Sequence, residues 1–87
     1  MFFAVFWTFS PESTQEVNTR FKETGGAPPR EVKMLGRWHS LGEGEGVLIC
    51  ETDNPVALGK WVQEWSDLMT FRVMPVVDDA GASEMIS

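Results

Sequence analysis

Apolar side chains fill both alternating phases of residues 2–9, FFAVFWTF: Phe2, Ala4 and Phe6 fall on one side, Phe3, Val5, Trp7 and Phe9 on the other. Aromatic and β-branched residues at this density predict a strand, and a strand apolar in both phases is one covered on both faces. Ser10 followed by Pro11 reads as the N-cap and first residue of a helix, with Glu12 and Glu16 near its positive end. Val17 and Phe21 stand one turn apart on its inner stripe. The helix stops at TGGAPP, where Gly25 or Gly26 can take a left-handed cap and the prolines forbid continuation.

Residues 32–41 and 46–52 predict a second and a third strand, and the glycines between them are the clearest hairpin signal in the chain. TDNPVALGKWVQEWSDL repeats the helix-start chemistry, with Asp53 or Asn54 as cap and Pro55 in the first turn; Leu58, Trp61, Trp65 and Leu68 line one face. Residues 69–77, MTFRVMPVV, predict a fourth strand that Pro75 confines to an edge or a bulge. The last stretch, DDAGASEMIS, has little to pack, so the expectation is one domain over residues 1–79 and a flexible tail over 80–87.

The element order β-α-β-β-α-β, closed by right-handed crossovers, gives an α+β ferredoxin-like sandwich: a four-stranded antiparallel sheet with two helices on one face. Two helices cover one face only, while the first and fourth strands carry apolar side chains on both. The economical cover for the other face is a second copy, sheet against sheet, in a two-fold dimer.

Size sharpens that expectation. A chain of 87 residues buries only roughly 60% of its unfolded surface and is marginal on its own core. No disulfide can help, because Cys50 is the sole cysteine and lies in the apolar run GVLIC, which fits a reducing cytoplasm. The apolar N-terminus lacks the basic flank and cleavage site of a signal peptide and is too short to span a bilayer. Seven Lys and Arg against thirteen Asp and Glu give a net charge of −6, with the bases scattered singly. Nucleic acid and anionic membranes are therefore not expected partners, since both need a positive surface.

Candidate chemistry is sparse. His39, the only histidine, shares a side with Lys33, Leu35, Arg37 and Leu41 by strict alternation, while Val32, Met34, Gly36 and Trp38 form the more apolar side expected to face the core or the dimer. As a functional group His39 would be a general base near neutral pH or a donor to a ligand oxygen; as a structural one it is a hydrogen-bonded or solvated strand residue. Arg37 faces Glu51 if Leu41 sits opposite Val47, and this cross-strand ion pair is the favoured register. A one-residue slip puts Arg37 opposite Cys50 and frees its charge for a ligand. Trp61 and Trp65 are first of all core, yet bulky aromatics above a curved sheet also leave room for an apolar cleft with few polar groups.

The glycine-glutamate run GEGEG resembles a phosphate loop only in composition, because the glutamates repel phosphate and no lysine or helix follows; it reads as a hairpin turn. One histidine and one cysteine make no usual zinc set, and the carboxylates lack calcium-loop spacing, so neither metal nor cofactor is expected.

The segments LGRWH, ETDNPVALGKWVQEWSDL and VMPVVDD, with RFKETGGAPP after the first helix, resemble the bacterial family called domain of unknown function 3303, over residues 2 to about 79. The resemblance implies membership of the dimeric α+β barrel superfamily, in which two ferredoxin-like sheets face each other. Members of that superfamily include cofactor-free monooxygenases, lactone isomerases and haem-binding peroxidases, but none of their catalytic motifs falls on positions here, and fold analogy alone is weak warrant.

Two readings follow. One is a non-catalytic homodimer that binds a small apolar or aromatic molecule through Arg37, Trp38, Trp61 and Trp65 in a helix–sheet cleft. The other is a cofactor-independent monooxygenase or isomerase with His39 as general base and Arg37 steadying an oxyanion. The first is favoured.

Overall fold

The computed structural model describes residues 1–87. Strands β1 (Phe2–Thr8), β2 (Lys33–His39), β3 (Glu45–Glu51) and β4 (Thr70–Val76) and helices α1 (Thr14–Thr24) and α2 (Pro55–Glu64) run in the order β1-α1-β2-β3-α2-β4, and a third helix, α3 (Asp79–Ile86), follows β4. The four strands form one antiparallel sheet in the order β2-β3-β1-β4. This is the ferredoxin-like arrangement that the element order predicts. The apolar first strand is central, paired to β3 on one side and β4 on the other. Pro75 lies in the edge strand β4, where its missing N–H costs no ladder bond to an outer neighbour.

The two phases of β1 serve two faces. Val5 and Trp7 are buried with Leu48 and Cys50 of β3 and with Ala57, Leu58 and Trp61 of α2, and this is the core. Phe2 and Phe6, in the other phase, stay partly exposed. Asn54 is the α2 cap: its side-chain oxygen accepts from the Ala57 N–H at 3.0 Å, and Pro55 opens the first turn. The helix ends at Glu64, one turn short of the apolar spacing, and Trp65 and Leu68 are carried by the turns that follow.

Before α1, residues Pro11–Ser13 form a 3-10 turn, and Ser10 makes no side-chain cap bond. At its far end both glycines are left-handed, Gly25 at φ 69° and Gly26 at φ 56°. The Gly25 N–H closes the helix on the Phe21 carbonyl at 2.7 Å.

Three expectations are corrected. Arg37 pairs neither with Glu51 nor with Cys50: it stands opposite Leu48, and Glu51 stands opposite Lys33. The hairpin is tighter than the favoured register, with the Ser40 N–H on the Glu45 carbonyl, and its loop is pinned to the first strand by the Phe9 N–H on the Gly44 carbonyl at 2.7 Å. Alternation is also not strict. The pairing shifts between Met34 and Gly36, a bulge at Leu35 that gives β2 one extra residue. Met34, Arg37 and His39 therefore share the helix-covered face with Cys50 and Leu48, whereas Gly36 and Trp38 turn to the open one. Finally, residues 79–86 are helical rather than loose. Asp78 caps them by accepting the Gly81 N–H at 2.9 Å, and Ala80 and Ala82 are good helix formers, although none of α3 is buried.

Gly46 explains part of the hairpin chemistry. A Cβ there would run into the Trp7 ring and come within 2.6 Å of the Trp38 carbonyl oxygen, so glycine is what lets the Trp7 indole lie across β3. Gly46→Ala is expected to lower stability by about 1–3 kcal/mol, as overpacking does, read as a fall in the urea midpoint at unchanged slope.

A surface clamp joins the helices. Arg20 of α1 meets Asp67 through two bonds of 2.9 and 2.8 Å and donates a third, at 3.0 Å, to the Glu64 carbonyl. The Arg20 side chain holds the Asp67 carboxyl below its ordinary range. A carboxyl whose folded-state pKa is depressed stabilises above its unfolded pKa, and that contribution is lost as pH falls through the folded value. Asp67→Asn should therefore be less stable than the parent at neutral pH, with the gap closing in acid below the carboxylate range. Urea midpoints at both conditions check this, and a gap independent of pH would contradict it.

Candidate functional site

Unequal helix packing creates the site. The core cluster draws Ala57, Leu58 and Trp61 from α2 but no residue from α1. Only Val17 of α1 is buried, and Phe21, its next inner residue, is 37% exposed. The rest of α1 is polar, so the helix stands over the sheet on two apolar side chains and leaves a cavity of about 270 Å³ beneath it. Trp7, Leu48 and Phe71 contribute from the sheet, Val17 and Phe21 from α1, and Trp61 and Trp65 from α2 and the turn after it. Eleven of the fifteen lining residues are hydrophobic, which makes the space apolar. Asn18, Gly26, Arg37 and His39 are the remainder, and none of them is acidic.

Arg37 reaches this space because the Leu35 bulge turns it to the helix side. Its guanidinium donates to the Gly26 carbonyl at 2.7 Å and the Gly25 carbonyl at 2.9 Å, and its carbon lies 5.0 Å from the Phe21 ring centroid. It thus satisfies carbonyls at the C-terminal end of α1, where a cation is favoured by the helix dipole. Burial pulls its pKa below the usual guanidinium range, though it stays charged. No carboxylate forms an ion pair with it; the salt bridges are Arg20–Asp67 and the N-terminal amine with Asp53.

His39 sits at the rim, edge-on to Trp7 at 5.5 Å and to Phe21 at 5.6 Å between ring centroids. The imidazole is exposed and packs between aromatic edges without a hydrogen bond to the protein that would orient it. Trp61 and Trp65 are cavity walls. Arg20 lies over the Trp65 ring at 5.3 Å and fixes that wall through the same clamp that holds Asp67. Trp38 does not join them: it is 60% exposed on the opposite face of the sheet, with its ring over Gly36. Four of the five residues singled out from sequence are therefore brought together, and Trp38 is excluded by the bulge.

Trp7, Phe21 and Phe71 also line the cavity, and no motif in the sequence marks them as site residues. The phase of Trp7 with Val5 was readable, but which apolar face would hold a void was not. Cys50 is fully buried in the core, and burial pushes its thiol pKa up, so it behaves as a small hydrophobe and not as a nucleophile. No three His, Cys, Asp or Glu side chains are grouped to hold a metal ion, and no helix is long and apolar enough to cross a membrane.

Solved structures of the same fold place this geometry in context. A candidate antibiotic biosynthesis monooxygenase from Deinococcus radiodurans superposes with a TM-score of 0.50 at 13% identity, over 90% of this chain and 94% of its own. The Mycobacterium tuberculosis protein Rv0793 gives 0.50 at 16% identity, over 92% and 99%. An uncharacterized NIPSNAP domain protein from Burkholderia xenovorans gives 0.50 at 8% identity, over 91% and 97%. At these identities the likeness is one of fold. No curated protein matches the sequence. The sequence does match a domain of unknown function, DUF3303, across residues 1–87, and with the fold in agreement the chain belongs to the DUF3303 family.

Proposed function

We propose that this domain is a non-catalytic homodimer that takes up a small apolar or aromatic molecule in the cleft beneath α1. The observation that carries the reading is the cavity itself: a space of about 270 Å³ walled by Trp7, Trp61 and Trp65. It lies just below the size range of ordinary small-molecule sites, roughly 300 Å³ and upward, and has their composition of apolar walls with a few polar groups at one side. The proton-transfer alternative has less behind it. A general base is normally held by a partner that fixes its tautomer and aim, and the exposed His39 ring has only aromatic edges beside it.

The dimer is proposed from the open face of the sheet. Phe6 and Trp38 are 37% and 60% exposed there, beside the half-buried Phe2, Val47, Ile49, Met74 and Val76. Arg72 lies over Phe6 at 5.2 Å on this face; an apolar surface otherwise so extended on a small domain calls for cover, and a two-fold copy offers the matching patch. With its lone thiol buried and no disulfide to form, the protein suits a reducing cytoplasm.

Light scattering coupled to size exclusion should give about twice the 9.8 kDa chain mass, unchanged at high salt because apolar contact is not screened. A cooperatively folded monomer would contradict the assembly. For the cleft, Trp38→Phe leaves Trp7, Trp61 and Trp65 as the only fluorophores of their kind, all lining the cavity. Titration with 2-naphthylmethanol or 2-naphthoate should quench this variant as it quenches the parent. Quenching that disappears with Trp38 would move binding to the open face and refute the cleft.

A further inference from the structure

The chain has thirteen acidic residues against seven basic ones, yet the cavity is lined by no Asp or Glu and by one Arg. Chance scatter of an acidic surface does not favour that inversion of sign. Arg37 is half-buried, and its two protein partners are the neutral carbonyl oxygens of Gly25 and Gly26. Those bonds occupy part of a guanidinium that carries several more N–H donors, and they leave its positive charge without a counter-ion. A partly desolvated charge of this kind gains when an opposite charge is brought to it. Phe21, whose ring the guanidinium overlies at 5.0 Å, is an apolar wall of the cavity beside that charge. Asn18 and His39 are the other polar side chains that line the cavity.

Resting on the cleft reading above, we infer that its ligand is an apolar, planar monoanion, whose carboxylate meets Arg37 at the rim while its body lies among Trp7, Trp61 and Trp65. Arg37 then has two roles: it closes the C-terminal end of α1 and marks the charged end of the site. The binding of an anion would tighten the contact between α1 and the sheet, because the same guanidinium holds the Gly25–Gly26 turn.

Isothermal titration calorimetry with 2-naphthoate and its uncharged counterpart 2-naphthylmethanol tests the charge alone, since the ring system is shared. The expected result is a preference of roughly tenfold or more for the carboxylate, the size of a charge-assisted hydrogen bond. Arg37→Met should erase the preference while naphthylmethanol still binds; Arg37→Lys should keep part of it, and His39→Gln most of it. Circular dichroism establishes that each variant is folded, and if Arg37→Met is not, the wild-type comparison and Arg37→Lys decide. Equal affinity for the two probes overturns the inference and leaves the cleft standing. A preference that survives Arg37→Met, or vanishes with His39→Gln, assigns the charge to another group and also overturns it. Failure of both probes to bind overturns the cleft reading itself.

Discussion

A central strand that is apolar in both phases, in a fold with only enough helix to cover one face, is the constraint from which the rest of this structure follows. β1 must bury Val5 and Trp7 on one side, and it does so chiefly against α2, whose Leu58 and Trp61 complete the core. The other phase, Phe2 and Phe6, has no helix to meet and stays partly exposed. A chain of this length cannot supply a second layer from its own residues. Its one extra element, α3, buries nothing.

The division of labour between the two helices sets the site. α2 carries the large apolar side chains and closes on the sheet; α1 carries few, and polar contacts do what packing would otherwise do. Arg20 ties its middle to Asp67 and the Glu64 carbonyl, and Arg37 ties its C-terminal turn to β2. These are directional bonds that hold α1 at a distance without filling the space below it. A void in a domain this small is expensive, and its walls of tryptophan make it a shaped apolar space with one polar rim. Both arginines also lie against aromatic rings of that space, Arg20 over Trp65 and Arg37 over Phe21, so the clamps and the cavity walls are the same structure.

The single residue of extra length at Leu35 has consequences out of proportion to its size. Without the bulge, strict alternation along β2 would leave Met34 and Arg37 on opposite faces. With it, Met34 packs toward the core while Arg37 and His39 also face the helices, and Trp38 is released to the open side. Gly36 accommodates the change by letting the Trp38 ring fold back over its own strand. The hairpin loop is then held by Gly44 against Phe9, which fixes a register that no cross-strand charge pair dictates. Lys33 stands opposite Glu51, where the bulge shifts it in place of Met34; Arg37 is removed from that position by the tight hairpin, which sets it opposite Leu48.

Local chemistry determined much of this protein from sequence alone. The two phases of β1, the proline-led helix starts, the glycine stop after α1 and the restriction of Pro75 to an edge or a bulge are each consequences of a side chain acting on its own backbone or on a regular period, and they lead to the ferredoxin-like order. Asp78 acts in the same local way, capping α3 by accepting the Gly81 N–H, although that stretch offers nothing to bury. Tertiary structure decided what depends on distances between elements. Whether β2 keeps strict alternation, where α2 stops short of Leu68, how far α1 stands from the sheet, and which arginine meets which acceptor are set by the competition of many packed contacts. No period in the chain records a bulge or an unfilled volume, because both exist only once separate elements have met.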